Sequence, residues 1–119
     1  MQYMLLIYDD ESKMNTATDA DRNAMMKAYG EFTASIMKTG NMKAGDALQR
    51  SSTATTVRIR NGKTLTTDGP FAETKEQLGG YYLIDAANLD EAIKIAARVP
   101  SAAYGSIEVR PVMVYPKPM

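Results

Sequence analysis

The sequence contains no cysteine and no histidine among its 119 residues. Without cysteine the chain can form no disulfide and offers no thiol nucleophile or thiolate metal ligand, which fits a reducing cytoplasm. Without histidine it lacks the side chain that most often moves protons near neutral pH. Any catalysis must use carboxylates, tyrosine, lysine, arginine or a borrowed cofactor. The sequence carries no cofactor-binding motif, and we expect no cofactor.

The chain also lacks an excess of charge and a long apolar run. Its 14 basic residues balance 14 acidic ones, so no net field attracts nucleic acid or anionic lipid. The apolar run 3–8 is followed by Asp9 and Asp10, and it is too short for a signal or membrane segment. We therefore expect a cytoplasmic protein with no nucleic-acid partner and no membrane partner.

The length suits one compact domain and is too short for two hydrophobic cores of ordinary size. Hydrophobic residues make up 45% and charged residues 24%, which is typical of a globular protein. We predict a single domain over 1–114. The tail 115–119 is predicted to be an extended segment, because Pro116 and Pro118 cannot donate strand hydrogen bonds.

The first half of the chain begins with a strand and a helix. Residues 2–8 are apolar nearly throughout, which indicates a strand buried on both faces. Thr18 can cap a helix that Gly40 ends. One face of this helix has apolar residues at helical spacing, namely Met25, Tyr29, Phe32 and Ile36. Its methionines are interpreted as adaptable core filling: Met25, Met26 and Met37.

A weak strand over 42–48 and a hairpin follow. The hairpin joins 55–60 to 63–67 through Asn61-Gly62, a pair that tolerates the positive φ of a tight turn. A two-residue loop would place Ile59 opposite Thr64, whereas a three-residue connection would put Ile59 and Leu65 on one face. The sequence leaves this register open.

The second half repeats the pattern of strand, helix and strand. A strand is predicted over 80–86, and Asn88 can cap a helix that ends before Pro100. The predicted apolar stripe of this helix consists of Leu89, Ala92, Ile93 and Ala96. The last strand, 106–114, alternates, with Ile107 and Val109 on one side and Glu108, Arg110 and Val112 on the other.

This order of elements predicts an α+β fold, a ferredoxin-like two-layer sandwich. Two helices with one apolar stripe each can cover only one face of a sheet. The other side of the first strand, with Met4, Leu6 and Tyr8, is also apolar. A second copy packed sheet to sheet would bury it, so we predict a homodimer.

The stretch "TTDGPFAETKEQLGG", 66–80, has a structural interpretation that we favour. Gly69 precedes a proline and would be extended, and Pro70 could open a helical turn. Asp68 could accept bonds from the backbone N–H of Phe71 or Ala72. Phe71 would then anchor the turn in the core.

The alternative interpretation makes the same corner a site. Asp68 would be the catalytic acid or base, and Tyr8, Glu73, Glu76 and Tyr81 would bind a small polar ligand. An oxygen-only metal site built from Asp68, Glu73 and Glu76 is weakly indicated, and we expect no metal.

Glu108 and Arg110 lie on one side of the last strand, about 7 Å apart along it. They could pair with each other or across the dimer. If this side faces an interior, Arg110 could instead anchor a carboxylate or phosphate ligand.

Three stretches carry a family resemblance: "MQYMLLIYDD", "TVRIRNGKTLTTDGPFAETKEQLGGYYLIDA" and "YGSIEVRPVM". Together they resemble the DGPF-domain group of the YCII-related family from Met1 to about Met113. The specific part is the tetrapeptide Asp68–Phe71 with the residues that follow it, Glu73, Lys75, Glu76, Gly79 and Gly80.

The resemblance implies a ferredoxin-like subunit that forms a dimeric α/β barrel. In related proteins a His and an Asp share a cleft, which suggests an enzyme, and members are often encoded beside sigma factors, which suggests a regulatory role. This chain has Val99 before Pro100, where many relatives have His or Cys, so a His–Asp dyad cannot operate. We therefore predict a homodimeric small-ligand-binding or regulatory module, with a sigma factor as a partner suggested by the family. The alternative is a small enzyme with Asp68 as acid or base and Arg110 as anion anchor.

Overall fold

The computed structural model describes residues 1–116, in which strands and helices follow the predicted order. The strands are β1 Gln2–Asp9, β2 Met42–Ala47, β3 Thr55–Arg60, β4 Lys63–Asp68, β5 Gln77–Asp85 and β6 Ser106–Pro111. The helices are α1 Asp19–Lys38 and α2 Leu89–Ala97, and short 3₁₀ helices span Glu11–Asn15, Ser51–Thr53 and Pro100–Ala103.

Four strands form one antiparallel sheet in the order β2-β5-β1-β6. In the sheet, β5 lies between β1 and β2, the two strands that α1 connects, and β1 lies between β5 and β6, the two strands that α2 connects. This arrangement is consistent with a ferredoxin-like α+β fold. The α+β prediction is confirmed. The remaining strands, β3 and β4, form a separate two-stranded sheet.

Both helices pack on one face of the main sheet. Leu5 of β1, Ile84 of β5 and Ile36 of α1 are fully buried in a single core. Helix α1 begins with a capping box: Thr18 accepts from Asp21 N, and Asp21 accepts from Thr18 N. Only Phe32 and Ile36 of α1 are buried, so the second half of this long helix attaches it to the sheet.

Several side chains lie outside the core that the sequence pattern predicts. Met26 and Met37 are 73% and 63% exposed, so their interpretation as core filling is wrong. In α2 the buried side chains are Ala92, Ile95 and Ala96, and Ile93 is 48% exposed. Periodicity identifies residues that share a helical face, but the neighbouring sheet decides which face is buried.

Two strand ends differ from the prediction. β5 begins at Gln77, because Gln77 and Leu78 pair with Asp9 and Tyr8 beyond a bulge in the ladder. β6 ends at Pro111, and one further bond joins the two strands, from Val112 N to Gln2 O at 3.0 Å. The predicted tail is described only for Tyr115 and Pro116, which lie outside any strand; 117–119 fall outside the described residues.

The hairpin of β3 and β4, residues 55–68, is called the arm below. Ile59 pairs with Thr64, and Arg58 pairs with Leu65, as the two-residue loop requires. Asn61 and Gly62 have φ of 52° and 73°, the left-handed conformations of a type I′ turn. The turn chemistry therefore sets the register.

The face of the main sheet opposite the helices is called the open face. Met4, Leu6 and Tyr8 of β1 lie there and are only half-buried, and Tyr81 and Leu83 of β5 lie beside them. β1 is therefore apolar on both sides, as predicted. Within residues 1–116, no helix is both long and apolar enough to cross a membrane.

Candidate functional site

The corner after β4 is closed by the base of the arm. Gly69 has φ of +98°, so the predicted extended conformation is wrong, and the left-handed backbone there favours glycine. Gly69 N donates to Ala54 O at 2.7 Å, and Thr56 Oγ1 donates to Gly69 O at 2.9 Å. The chain reverses at this point because both bonds tie it back to the start of β3.

Phe71 does not anchor this corner. Its side chain is 80% exposed, so the prediction that it packs in the core is wrong. Residues 69–76 contain no helical turn after Pro70. Asp68 is exposed at the end of β4.

The other predicted site residues of this segment are spread out. Glu73 is exposed, whereas Glu76 is half-buried and accepts a bond from Ser106 Oγ at 2.8 Å. Within the described 116 residues no three His, Cys, Asp or Glu side chains group to hold a metal ion. The structure therefore does not group Asp68, Glu73 and Glu76 as a set of metal ligands.

Four of the predicted residues do share the open face. Strand pairing places Tyr81 and Glu108 on either side of Leu6, while Arg110 pairs with Met4 and Tyr8 with Ser106. Arg110 Nε donates to Glu108 Oε2 at 2.8 Å, so the two side chains pair with each other. Asp68 lies instead at the base of the arm, and Glu73 lies in the loop that follows it.

Sequence reasoning missed Asp46, which lies on the open face with these four residues, and the five together are called the polar row. Asp46 pairs with Tyr81 across β2 and β5, and Tyr81 Oη donates to Asp46 Oδ2 at 2.6 Å. The hydrogen bond to this carboxylate, then its negative charge, raises the pKa of Tyr81. β2 has so weak a strand pattern that the register with β5 was needed to find this pair.

Asp46→Asn is expected to lower the pKa of Tyr81 towards its ordinary value. The neutral amide removes the charge that opposes a phenolate, whereas Tyr29, whose pKa is raised mainly by burial, should not respond. Because the folded-state pKa of Tyr81 is raised, its stabilising contribution is present below about pH 10 and is lost as the phenol ionises. Carbon NMR titration of the tyrosine rings measures both groups, and an unchanged Tyr81 would refute the assignment.

A large open cleft lies on the helix side of the sheet. Its volume is about 1490 Å³, and α1 stands over it. The floor comes from the sheet and the wall from α1, with the 3₁₀ helix Pro100–Ala103 and its neighbours at one end. The residues that line the cleft include Gly79, Gly80, Met25, Ala28, Tyr29 and Tyr104.

The polar groups inside the cleft come from distant parts of the chain. Tyr29 Oη and Ser101 Oγ are 2.5 Å apart, and burial raises the pKa of Tyr29. Tyr104 Oη donates to Met25 Sδ at 3.1 Å, and burial also raises the pKa of Tyr104. Since Tyr29 and Ser101 are 72 positions apart, no local sequence pattern signals this pair.

Of the seven predicted site residues, all within the described part of the chain, Tyr81 alone lines the cleft. The candidate site therefore has two parts, the cleft on the helix side and the polar row on the open face. Tyr81 belongs to both descriptions because it sits near the β2 edge, where β5 and β2 border the cleft.

The sheet order and the layer of two helices define a small α+β protein, consistent with a ferredoxin-like fold. The YCII-related domain matches residues 1–116. The chain is also 38% identical over 117 residues to the uncharacterized protein R00369 of Rhizobium meliloti (strain 1021), which covers 97% of this chain and 94% of that protein. The chain therefore belongs to the YCII-related domain family.

Proposed function

We propose that this YCII-related domain is a homodimeric module that binds a small molecule in the cleft. The observation that carries the proposal is the cleft itself, about 1490 Å³ of space beneath α1. Small-molecule sites are concave, lined mainly by apolar and aromatic side chains, and contain a few polar groups that orient the ligand. The cleft has this composition.

The lining indicates the class of ligand. Met25, Tyr29 and Tyr82 offer apolar and aromatic surface, and the hydroxyl groups of Tyr29, Ser101 and Tyr104 lie at one end. A ligand with an apolar body and one polar group that can exchange hydrogen bonds with hydroxyls fits this arrangement. Gly79 leaves open space above the floor, since a Cβ there would meet only Ile7 O at 3.9 Å.

Ala28→Trp is expected to abolish binding of such a ligand. Ala28 is half-buried in the cleft wall, so the indole would fill space that the ligand needs. Compounds from a small-molecule library that raise the melting temperature of the unmodified chain should no longer do so, with Kd raised at least about tenfold.

Ala34→Trp is the matched control, because Ala34 is exposed on the same helix and does not line the cleft. It should bind as the unmodified chain does. A compound whose Kd is the same in all three proteins binds elsewhere, and that result would contradict the proposed site.

The homodimer part of the proposal is supported by the open face. Met4, Leu6 and Leu83 form an apolar surface flanked by the Asp46–Tyr81 and Glu108–Arg110 pairs. An apolar centre with a polar rim is the usual anatomy of a protein interface. A twofold contact of this face with itself would give the dimeric α/β barrel that the family resemblance implies.

The assignment to the DGPF group is the finer part of the proposal. It is supported by the Asp68–Phe71 tetrapeptide, whose glycine has the positive φ that the corner requires. A catalytic role for Asp68 with Arg110 as an anion anchor stays a prediction. No geometry favours it, because Arg110 is paired with Glu108 on the open face.

A further inference from the structure

The arm projects from the body of the molecule. The Cα radius of gyration is 16.6 Å, whereas a compact chain of this length is expected to have about 13 Å. The molecule measures 48 × 47 × 18 Å, and the strands of the arm pack extensively only against each other. Its strands pair with each other and belong to no larger sheet.

Both faces of the arm leave apolar side chains in water. Val57 and Ile59 are 60% and 66% exposed on one face, and Leu65 is 47% exposed on the other. A lone two-stranded hairpin is at best marginally stable in water unless it packs against something else. This arm therefore has the surface of an element that is completed by a partner.

The base of the arm is held firmly to the body. The Glu11 carboxylate accepts from Ser51 N and Ser51 Oγ, each at 2.7 Å. Arg50 Nη2 donates to Glu11 O at 2.9 Å and to Asn15 Oδ1 at 2.8 Å. These bonds hold the segment just before the arm beside the 3₁₀ helix Glu11–Asn15.

The arm and the cleft rim carry opposite charges. The arm, residues 55–68, contains Arg58, Arg60 and Lys63 and one acidic residue, Asp68 at its end, a net charge of +2. Residues 9–22, called the acidic rim here, contain five acidic and two basic residues, a net charge of −3. The acidic rim borders the cleft through Asp9, Asp10 and Asp21 among others, and exposed Met14 and Met26 lie along the same border.

We propose that the arm of one copy packs against the acidic rim and α1 of a second copy and so completes the wall of its cleft. Arg58, Arg60 and Lys63 share one face of the arm with Leu65. These basic side chains would meet the acidic rim, and Leu65 would cover Met14 and Met26. The ligand cleft of each subunit is then incomplete without the partner. This inference rests on the proposed homodimer and adds a contribution of the partner to the site.

The absence of cysteine allows a direct test by cross-linking. One preparation carries Leu65→Cys on the arm, and a second, isotopically labelled preparation carries Met26→Cys on the cleft border; both side chains are exposed. After the two are mixed and treated with a bis-maleimide, mass spectrometry identifies peptides joined between labelled and unlabelled copies. Circular dichroism verifies that each variant folds.

A cross-link between residue 65 of one copy and residue 26 of the other is expected, in at least tenfold excess over a control pair. The control pairs Leu65→Cys with Ile93→Cys, which is exposed on α2. In the same mixture, sedimentation reports whether a dimer exists. A dimer without the 65–26 cross-link overturns the arm inference alone, whereas a single 13.0 kDa species overturns the homodimer as well.

Charge reversal provides a second measurement. Arg60→Glu with Lys63→Glu should raise the dimer Kd at least tenfold at low salt, because both charges would then face the acidic rim. Lys43→Glu with Lys94→Glu changes the net charge equally at positions outside the arm and should have a smaller effect. Equal effects of the two double variants would also overturn the arm inference.

Discussion

Gly105→Ala is expected to destabilise the folded chain by about 3 kcal/mol or more, the upper end of the range for inserting a methyl group into packed structure. A Cβ at this position would lie 2.2 Å from the backbone oxygen of Tyr8 and 3.2 Å from that of Ser101. Both obstacles are backbone atoms, so no side-chain rotation can relieve the contact. The loop or the end of β1 would have to move.

The movement would also reach the cleft. Gly105 N donates to Ser101 O at 2.7 Å, and Gly105 joins the 3₁₀ helix Pro100–Ala103 to β6. This junction holds Ser101 against Tyr29 and places Tyr104 at the cleft end. Urea unfolding followed by circular dichroism should therefore show a large fall in the midpoint for Gly105→Ala.

Gly30→Ala is the matched control. Gly30 lies inside α1, and a Cβ there would meet nothing within 4 Å. Since alanine restricts the unfolded chain and favours helix, this variant should gain about 0.5–1 kcal/mol. If Gly105→Ala unfolded at the same urea concentration as the unmodified chain, the close approach of Gly105 to β1 would be wrong.

Leu6→Asp is expected to convert the homodimer into single chains. Leu6 sits in the middle of the open face, with Tyr81 paired on one side and Glu108 on the other. In a sheet-to-sheet dimer the new carboxylate would be buried without a partner and beside an existing carboxylate, which costs several kcal/mol. The dimer Kd should rise at least about a hundredfold, since about 2.7 kcal/mol corresponds to that factor.

Sedimentation velocity at several concentrations measures this change. The unmodified chain should sediment at twice its 13.0 kDa mass and Leu6→Asp at the mass of one chain. Because Leu6 is half-exposed in one chain, the variant should still fold. Ile93→Asp, at an exposed position on α2, should remain dimeric. An unmodified chain that stays monomeric at micromolar concentration would contradict the proposed interface.

The elements of this fold could be predicted because their signals are local. Thr18 and Asn88 each accept a bond from a backbone N–H in the first turn of a helix, and Gly40 has a φ of 78° after α1. Asn61-Gly62 forms the tight turn that its residues favour. Each of these features depends on a few neighbouring residues, so the sequence contains the whole cause.

The environment of individual side chains was predicted less well. Phe71 and Met26 are large and apolar, which is why burial was expected, yet both are exposed in the single chain. Ile95 is buried in α2 where Ile93 was predicted. Burial depends on which element lies opposite a side chain, and that element comes from a distant part of the sequence.

The candidate site shows the same division. The acidic corner at Asp68 is visible in the sequence because its residues are adjacent, but the structure leaves Asp68 exposed at the arm base. The cleft depends on the distance of α1 from the sheet and on Ser101 meeting Tyr29. Asp46 reaches Tyr81 only through the register of β2 with β5.

By itself the sequence determined the order of strands and helices, their caps and turns, and the two apolar sides of β1, because short-range backbone chemistry and side-chain alternation are written in consecutive residues. Only the tertiary structure decided where the cleft lies, which polar groups share a face, and that the arm stands away from the body. Those features depend on how elements far apart in the chain pack together, and packing is decided by the shape of the whole molecule.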